Sequence, residues 1–259
     1  MRPIGRFPKD RRAAIRFVLT DVDDTLTDGA RLPAATFGAM ERLDNAGIAV
    51  IPVTAACSGW CDLMCRMWPA AAVIGENGGL CFRHDRQGGD TERRYWLVEA
   101  ERSRMRASVA ELAAALVAEL AGCEISHDQR YRETTLAVVN PADPALREVI
   151  VARMRAFGLR TTTNSLWVLG WRGGFDKLAM ARRMLAELFA TDIDRSADAF
   201  VYVGDSLNDE PMFGHFPNSV GVATVRNYLD RLGSPPKWIT KGGGGAGFVE
   251  VADMLLGAG

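Results

Sequence analysis

No apolar run in this sequence approaches the roughly 20 residues needed to cross a bilayer. The basic start, MRPIGRFPKDRRAAIRF, is not followed by a signal-peptide core. It reads as a solvated arm, Arg11 and Arg12 included, leading into the first strand. Cysteine is scarce: five residues, an odd number without framework spacing. That pattern speaks against a disulfide scaffold and suits a reducing cytoplasm. Charge of one sign is also lacking, with 31 Lys and Arg against 32 Asp and Glu. There is no global basic field for nucleic acid. Histidine is rare, and neither His84 nor His127 lies near Cys57, Cys61 and Cys65 in the chain. Those cysteines, four apart, therefore read as one side of a packed helix and not as metal ligands. The remaining composition, 48% hydrophobic and 24% charged over 259 residues, is that of a soluble globular protein of one large or two modest domains.

Hydrophobic periodicity organises the chain. Ile15–Thr20, Ile48–Val53 and Ala71–Ile74 are short apolar runs of strand character. Pro33–Ala46, closed by Gly47, and Ser58–Trp68, stopped by Pro69, read as the intervening helices. This alternation predicts βαβ units and a mostly parallel sheet. The rhythm changes after about Arg83. A strand YWLVEA, a helix over Ser103–Leu120, a strand TTLAVVN, a helix over Pro144–Phe157, and the adjacent strands LRTTTNS and LWVLGW form an α+β pattern. Alternation returns at Asp176 with a helix to Phe189 and a strand over Phe200–Val203. The spacing predicts a discontinuous α/β core with a second domain inserted near residues 84–172. Arg86–Asp90 and Gly173–Gly174 are the expected hinge-like linkers.

Two of the core strands end in acid. FVLT runs into DVDD, placing Asp21 and Asp23 on one face of an extended segment. FVYVG runs into Asp205 and Asp209. In open parallel sheets ligands bind beyond the carboxyl ends of the strands, so both clusters meet at one edge. Converging carboxylates need a hard cation, and oxygen-only ligands favour Mg²⁺. Thr54 follows another strand to the same edge. Lys177 lies in the first turn of a helix, where the helix dipole disfavours a cation unless it faces an anion. A carboxylate nucleophile, an acid/base carboxylate, a hydroxyl, an ammonium and a metal site suit phosphoryl transfer through an aspartyl-phosphate.

DVDDT, Thr54, Lys177 and GDSLND resemble, in order, the four motifs of the haloacid dehalogenase superfamily. The long insertion resembles the α/β cap of its Cof-like and sugar-phosphate phosphatase branch. The resemblance implies a Rossmann-like core, residues 1–84 and 172–259, and an α+β cap, residues 85–171. It implies a Mg²⁺-dependent phosphatase of a small phosphorylated metabolite, a sugar phosphate, working through an aspartyl-phosphate. Asp21 is then the nucleophile and Asp23 the acid/base. Thr54, Lys177 and Asn208 bind the phosphate. The metal is held by Asp21, the Asp23 backbone carbonyl and Asp205, with Asp209 completing its surroundings. A phosphomutase or phosphotransferase is the alternative within the fold. A non-enzymatic phospho-aspartate switch ranks behind, since receiver domains are shorter and lack both the second Asp and the cap. No nucleic-acid or membrane partner is expected, and the oligomeric state is left open.

In one place the chain departs from that pattern: Ala55 and Ala56 follow Thr54, where the branch usually carries Gly-Arg. Asp24 and Asp28 match no catalytic position and read as turn residues. Glu76–Gly79, ENGG, reads equally as a polar turn or a substrate contact. Gly242–Gly245 reads as a flexible loop. Arg130, Arg132 and Trp167 are the cap side chains that could reach a substrate.

Overall fold

Along each central strand, successive apolar residues point to opposite faces, and both faces are covered. Val18, Val50 and Val201 lie in one buried cluster, Leu19, Ile51 and Tyr202 in another. A sheet buried on both sides needs helices on both sides, which is the parallel α/β arrangement. In this computed structural model residues 1–257 are described. The elements run β1 (Arg2–Pro3), α1 (Lys9–Arg12), β2 (Phe17–Thr20), α2 (Ala34–Asn45), β3 (Ala49–Pro52), α3 (Ser58–Met67), β4 (Val73–Gly75), β5 (Leu80–His84), β6 (Thr91–Tyr95), α4 (Glu99–Glu119), β7 (Leu136–Val139), α5 (Pro144–Ala156), β8 (Arg160–Thr163), β9 (Trp167–Trp171), α6 (Lys177–Phe189), β10 (Phe200–Gly204), α7 (Glu210–His215), β11 (Ser219–Gly221), β12 (Trp238–Ile239) and α8 (Gly244–Leu256).

The main sheet has the order β1-β12-β11-β10-β2-β3, with every neighbouring pair parallel. Thr20 is in register with Val203 on one side and Pro52 on the other. The carboxyl ends of β10, β2 and β3 therefore align, and the residues after them share an edge. A parallel bridge from Val53 to Ile74 carries that edge on to β4. One face of the sheet is closed by Met40, Leu43, Met64 and Phe248, the other by Met180, Met184 and Phe213. The inserted unit has its own antiparallel sheet, β7-β9-β8. Its separate core joins Met105 and Leu112 of α4, Ile150 and Met154 of α5, and Leu136 and Leu169 of the sheet.

Five expectations change. Arg86–Asp90 does not link domains: β5 and β6 pair as an antiparallel hairpin beside β4, and this segment is its turn, with Gly89 at φ +84° donating to the Asp85 carbonyl. The change of sheet falls after Tyr95, not at residue 84, and of the expected strand YWLVEA only Tyr95 lies in β6, while Glu99 and Ala100 already belong to α4. The N-terminal arm is not merely solvated, because β1 pairs with β12 and Ile4 and Phe7 are buried. Helix α4 starts at Glu99, four residues earlier than Ser103, with Glu99 and Glu101 in its first turn, where acids favour the dipole. The glycine run is partly helical. Gly244 and Gly245 open α8, and the Gly245 N–H donates to Asp28 Oδ1 at 3.0 Å. Asp28 thus supports a helix start.

Candidate active site

Asp21 leaves β2 with its N–H on the Val203 carbonyl at 2.8 Å, so the parallel register itself sets its position. Lys177, at the start of α6, reaches the same point. Its Nζ lies 2.9 Å from Asp21 Oδ1 and 2.6 Å from Asp209 Oδ1, and the side chain is 1% exposed. Asp176 caps this helix by accepting from the Ala179 N–H. The unfavourable dipole at Lys177 is thereby offset by two carboxylates. Asp209 is tied further: its Oδ1 also accepts from the Tyr202 hydroxyl. Its Oδ2 accepts from the Asp205 and Ser206 N–H groups at 2.9 and 3.1 Å. Gly204 is required there, because a Cβ would sit 2.5 Å from Asp209 Oδ2.

One oxygen each of Asp21, Asp205 and Asp209 lies within 4.8 Å of the others. Among the described residues the Asp23 carboxylate is not in that group. Thr25 Oγ1 donates to Asp205 Oδ1 at 3.4 Å. Thr54 is fully buried, and its Oγ1 accepts from the Ala56 N–H at 3.0 Å, leaving the hydroxyl proton free to donate. Asn208 Oδ1 accepts from Ser206. Its Nδ2 is buried without a partner, an orphaned donor beside the carboxylates that suits an anionic oxygen.

The electrostatics are those of a site built for a cation. Burial raises the Asp21 carboxyl above its ordinary value, the Asp209 carboxylate adds to this, and Lys177 offsets only part. Burial, then Asp21 and Asp209, raise Asp205 in the same way. Asp23 is pushed up to about 6, chiefly by burial. Burial works against the Lys177 charge, yet Asp209 and Asp21 hold its proton above the usual range. Hard oxygen donors, crowded and short of positive charge, can hold a metal ion. Asp205 and Asp21 have acceptor capacity for it. Asp209, with both oxygens engaged, is better described as the anchor of Lys177 and of the loop after β10.

The inserted unit reaches this same edge. Ser165 Oγ donates to Asp24 Oδ2 at 3.0 Å, and Arg132 Nη1 donates to the Ala55 carbonyl at 2.9 Å. Arg132 is held by Asp128 through two bonds of 3.0 and 2.8 Å and lies over the Trp167 ring, so its donors are committed to the protein. Trp167 Nε1 donates to Ser126, and the Arg130 guanidinium lies over the exposed Tyr131. Sequence reasoning missed Tyr202, an apparent core residue of β10. It also missed Tyr228, whose hydroxyl is raised first by burial and then by Asp205 and Asp24. No motif marks either one.

No family model matches the chain, and no curated protein matches it. Solved structures do. Thermoplasma acidophilum protein 0175 aligns at a TM-score of 0.71 with 18% identity, over 93% of this chain and 98% of that one. A HAD/COF-like hydrolase from Plasmodium vivax aligns at 0.66 with 17% identity, over 96% and 99%. The sucrose-phosphatase of Synechocystis, solved with sucrose and phosphate, aligns at 0.63 with 12% identity, over 92% and 97%. The acidic strand ends, the buried lysine and the inserted α/β unit thus sit on the fold of the haloacid dehalogenase-like, Cof-type hydrolases.

Proposed function

We propose that the chain is a Mg²⁺-dependent phosphatase that hydrolyses a small phosphorylated metabolite, a sugar phosphate. The observation that carries this reading is the buried Lys177 ammonium held between Asp21 and Asp209 beside Asp205. An Asp21 oxygen attacks phosphorus as the bond to the leaving oxygen breaks, and that oxygen takes the proton of Asp23. Water then attacks the aspartyl-phosphate, Asp23 accepts its proton, and the Asp21–phosphorus bond breaks. Lys177, Thr54 and Asn208 bind the phosphate oxygens. Mg²⁺, held by Asp21, Asp205 and the Asp23 carbonyl with Asp209 behind them, neutralises charge when bound. The sugar assignment is supported by the shared fold of sucrose-phosphatase. Five free, buried thiols suit a reducing compartment, and the cytoplasm is the proposed one.

The test is phosphate release from a panel of phosphorylated metabolites with Mg²⁺, with isomerised product scored alongside. Isomerised product without free phosphate would replace the phosphatase by a phosphomutase. Folded Asp21→Asn should release none. Asp23→Asn should still be phosphorylated by p-nitrophenyl phosphate, but its steady-state rate should fall about 10²- to 10⁴-fold. Full activity in either variant would remove that residue from its role.

A further inference from the structure

Glu76 follows β4 with φ +47°, and Asn77 follows at φ +57°. Two successive non-glycine residues in the left-handed region are unfavourable and persist only where the surroundings hold them. Part of that hold is backbone. The Glu76 N–H donates to the Ala56 carbonyl and the Asn77 N–H to the Thr54 carbonyl, both at 3.0 Å. The strained turn is therefore the support of the loop that carries Thr54.

The Glu76 side chain is fully buried and looks the other way, into the inserted unit. Its Oε1 accepts from the N–H groups of Ser58 and Glu133 at 3.2 and 2.8 Å. Its Oε2 accepts from the Thr134 N–H, the Thr134 hydroxyl and the Thr135 hydroxyl at 2.7, 2.8 and 3.1 Å. Four of these five donors belong to the cap. Gly79 makes room, since a Cβ there would lie 1.9 Å from Thr134 Oγ1. Arg132 Nη1 joins the group by donating to Thr135 Oγ1 at 3.1 Å as well as to the Ala55 carbonyl. Ser58 Oγ donates to the Tyr131 carbonyl at 2.6 Å.

We propose that Glu76 is a positioning residue: it fastens the Tyr131–Thr135 segment of the cap to the Thr54 loop, so that the loop takes its phosphate-binding shape only with this segment docked. The proposal rests on the phosphatase reading. Arg132 Nη1 bridges the same two parts, from the Thr135 hydroxyl to the Ala55 carbonyl. Lifting the cap at this point would strand a buried carboxylate and four donors. The contact of Ser165 with Asp24, by contrast, is a single exposed bond.

The full-length protein tests this through Glu76→Gln, which keeps the shape but turns an amide NH₂ toward N–H and O–H donors. Amide exchange of residues 54–58 and 131–136 should rise together, each about tenfold, and the affinity for inorganic phosphate with Mg²⁺ should fall about tenfold by calorimetry. β2 and β10 should keep their protection. Thr134→Val, which removes one donor, should move the same two segments by less, and it carries the test if Glu76→Gln does not fold. Faster exchange in 131–136 alone, with phosphate affinity unchanged, would reduce Glu76 to a cap-packing residue. Exchange needs no turnover. A wild-type protein that shows this coupling but hydrolyses no ester would overturn the phosphatase reading and leave the coupling in place.

Discussion

Asp21 and Asp205 are both raised above the ordinary 3.8, first by burial and then by neighbouring carboxylates. The metal-free folded protein then holds protons that the unfolded chain releases. By linkage, the stability contributed by these groups is complete below about pH 4 and is lost as pH rises through their folded values. A divalent cation acts in the opposite sense, because it binds the ionised carboxylates. The rise in Tm on replacing EDTA with Mg²⁺ should therefore grow from about pH 5 to about pH 8. Thermal melts at several pH values decide this, and a gain that shrinks with pH would remove the cation from Asp21 and Asp205.

At the scale of elements, legibility followed the range of the forces. FVLT and FVYVG each announce a buried strand that ends in acid, and the parallel register does the rest, so the aligned edge could be read locally. Helices α2, α3, α5 and α6 were also local. Glu76 was not legible as a tether, because its partner Thr134 lies 58 residues away and belongs to no chemical motif. Gly88 and Gly89 looked like a linker because a polar, glycine-bearing run is the same in a hinge and in a hairpin. What decides is the β4 edge, whose open backbone groups take β5, and β5 in turn takes β6. The glycine run misled for a related reason. Gly244 has φ +52°, and a Cβ there would sit 1.9 Å from Asp28 Oδ1. Gly244→Ala should thus cost about 1–3 kcal/mol, from backbone strain and displacement of Asp28. Chemical denaturation measures it, and an unchanged midpoint would show that the approach of Asp28 to α8 is not needed.

At the scale of the whole molecule, the cap and core have separate hydrophobic centres, yet they are not independent in their contacts. Ala55 and Phe175, both at the core side of the junction, pack into the cap cluster. Phe175 is fully buried, and its carbonyl accepts from Trp171 Nε1 and Arg160 Nη1, each at 3.0 Å. Together with the Glu76 bonds, these contacts make cap unfolding costly for the core edge and core unfolding costly for the cap. Coupling of this strength should merge the two transitions. In rising urea, hydrogen exchange should show α4 and β7–β9 losing protection at the same midpoint as β2 and β10. Truncating Phe175 to Ala removes about 3–5 kcal/mol of buried packing from the junction alone, and the cap should then lose protection first, with the core midpoint lagging. If the wild-type cap already unfolds at lower urea than β2 and β10, the two units are thermodynamically separate. Closure over Asp21 would then be set within the cap and its two connecting segments, Trp96–Val98 and Arg172–Gly174, and not by the shared junction.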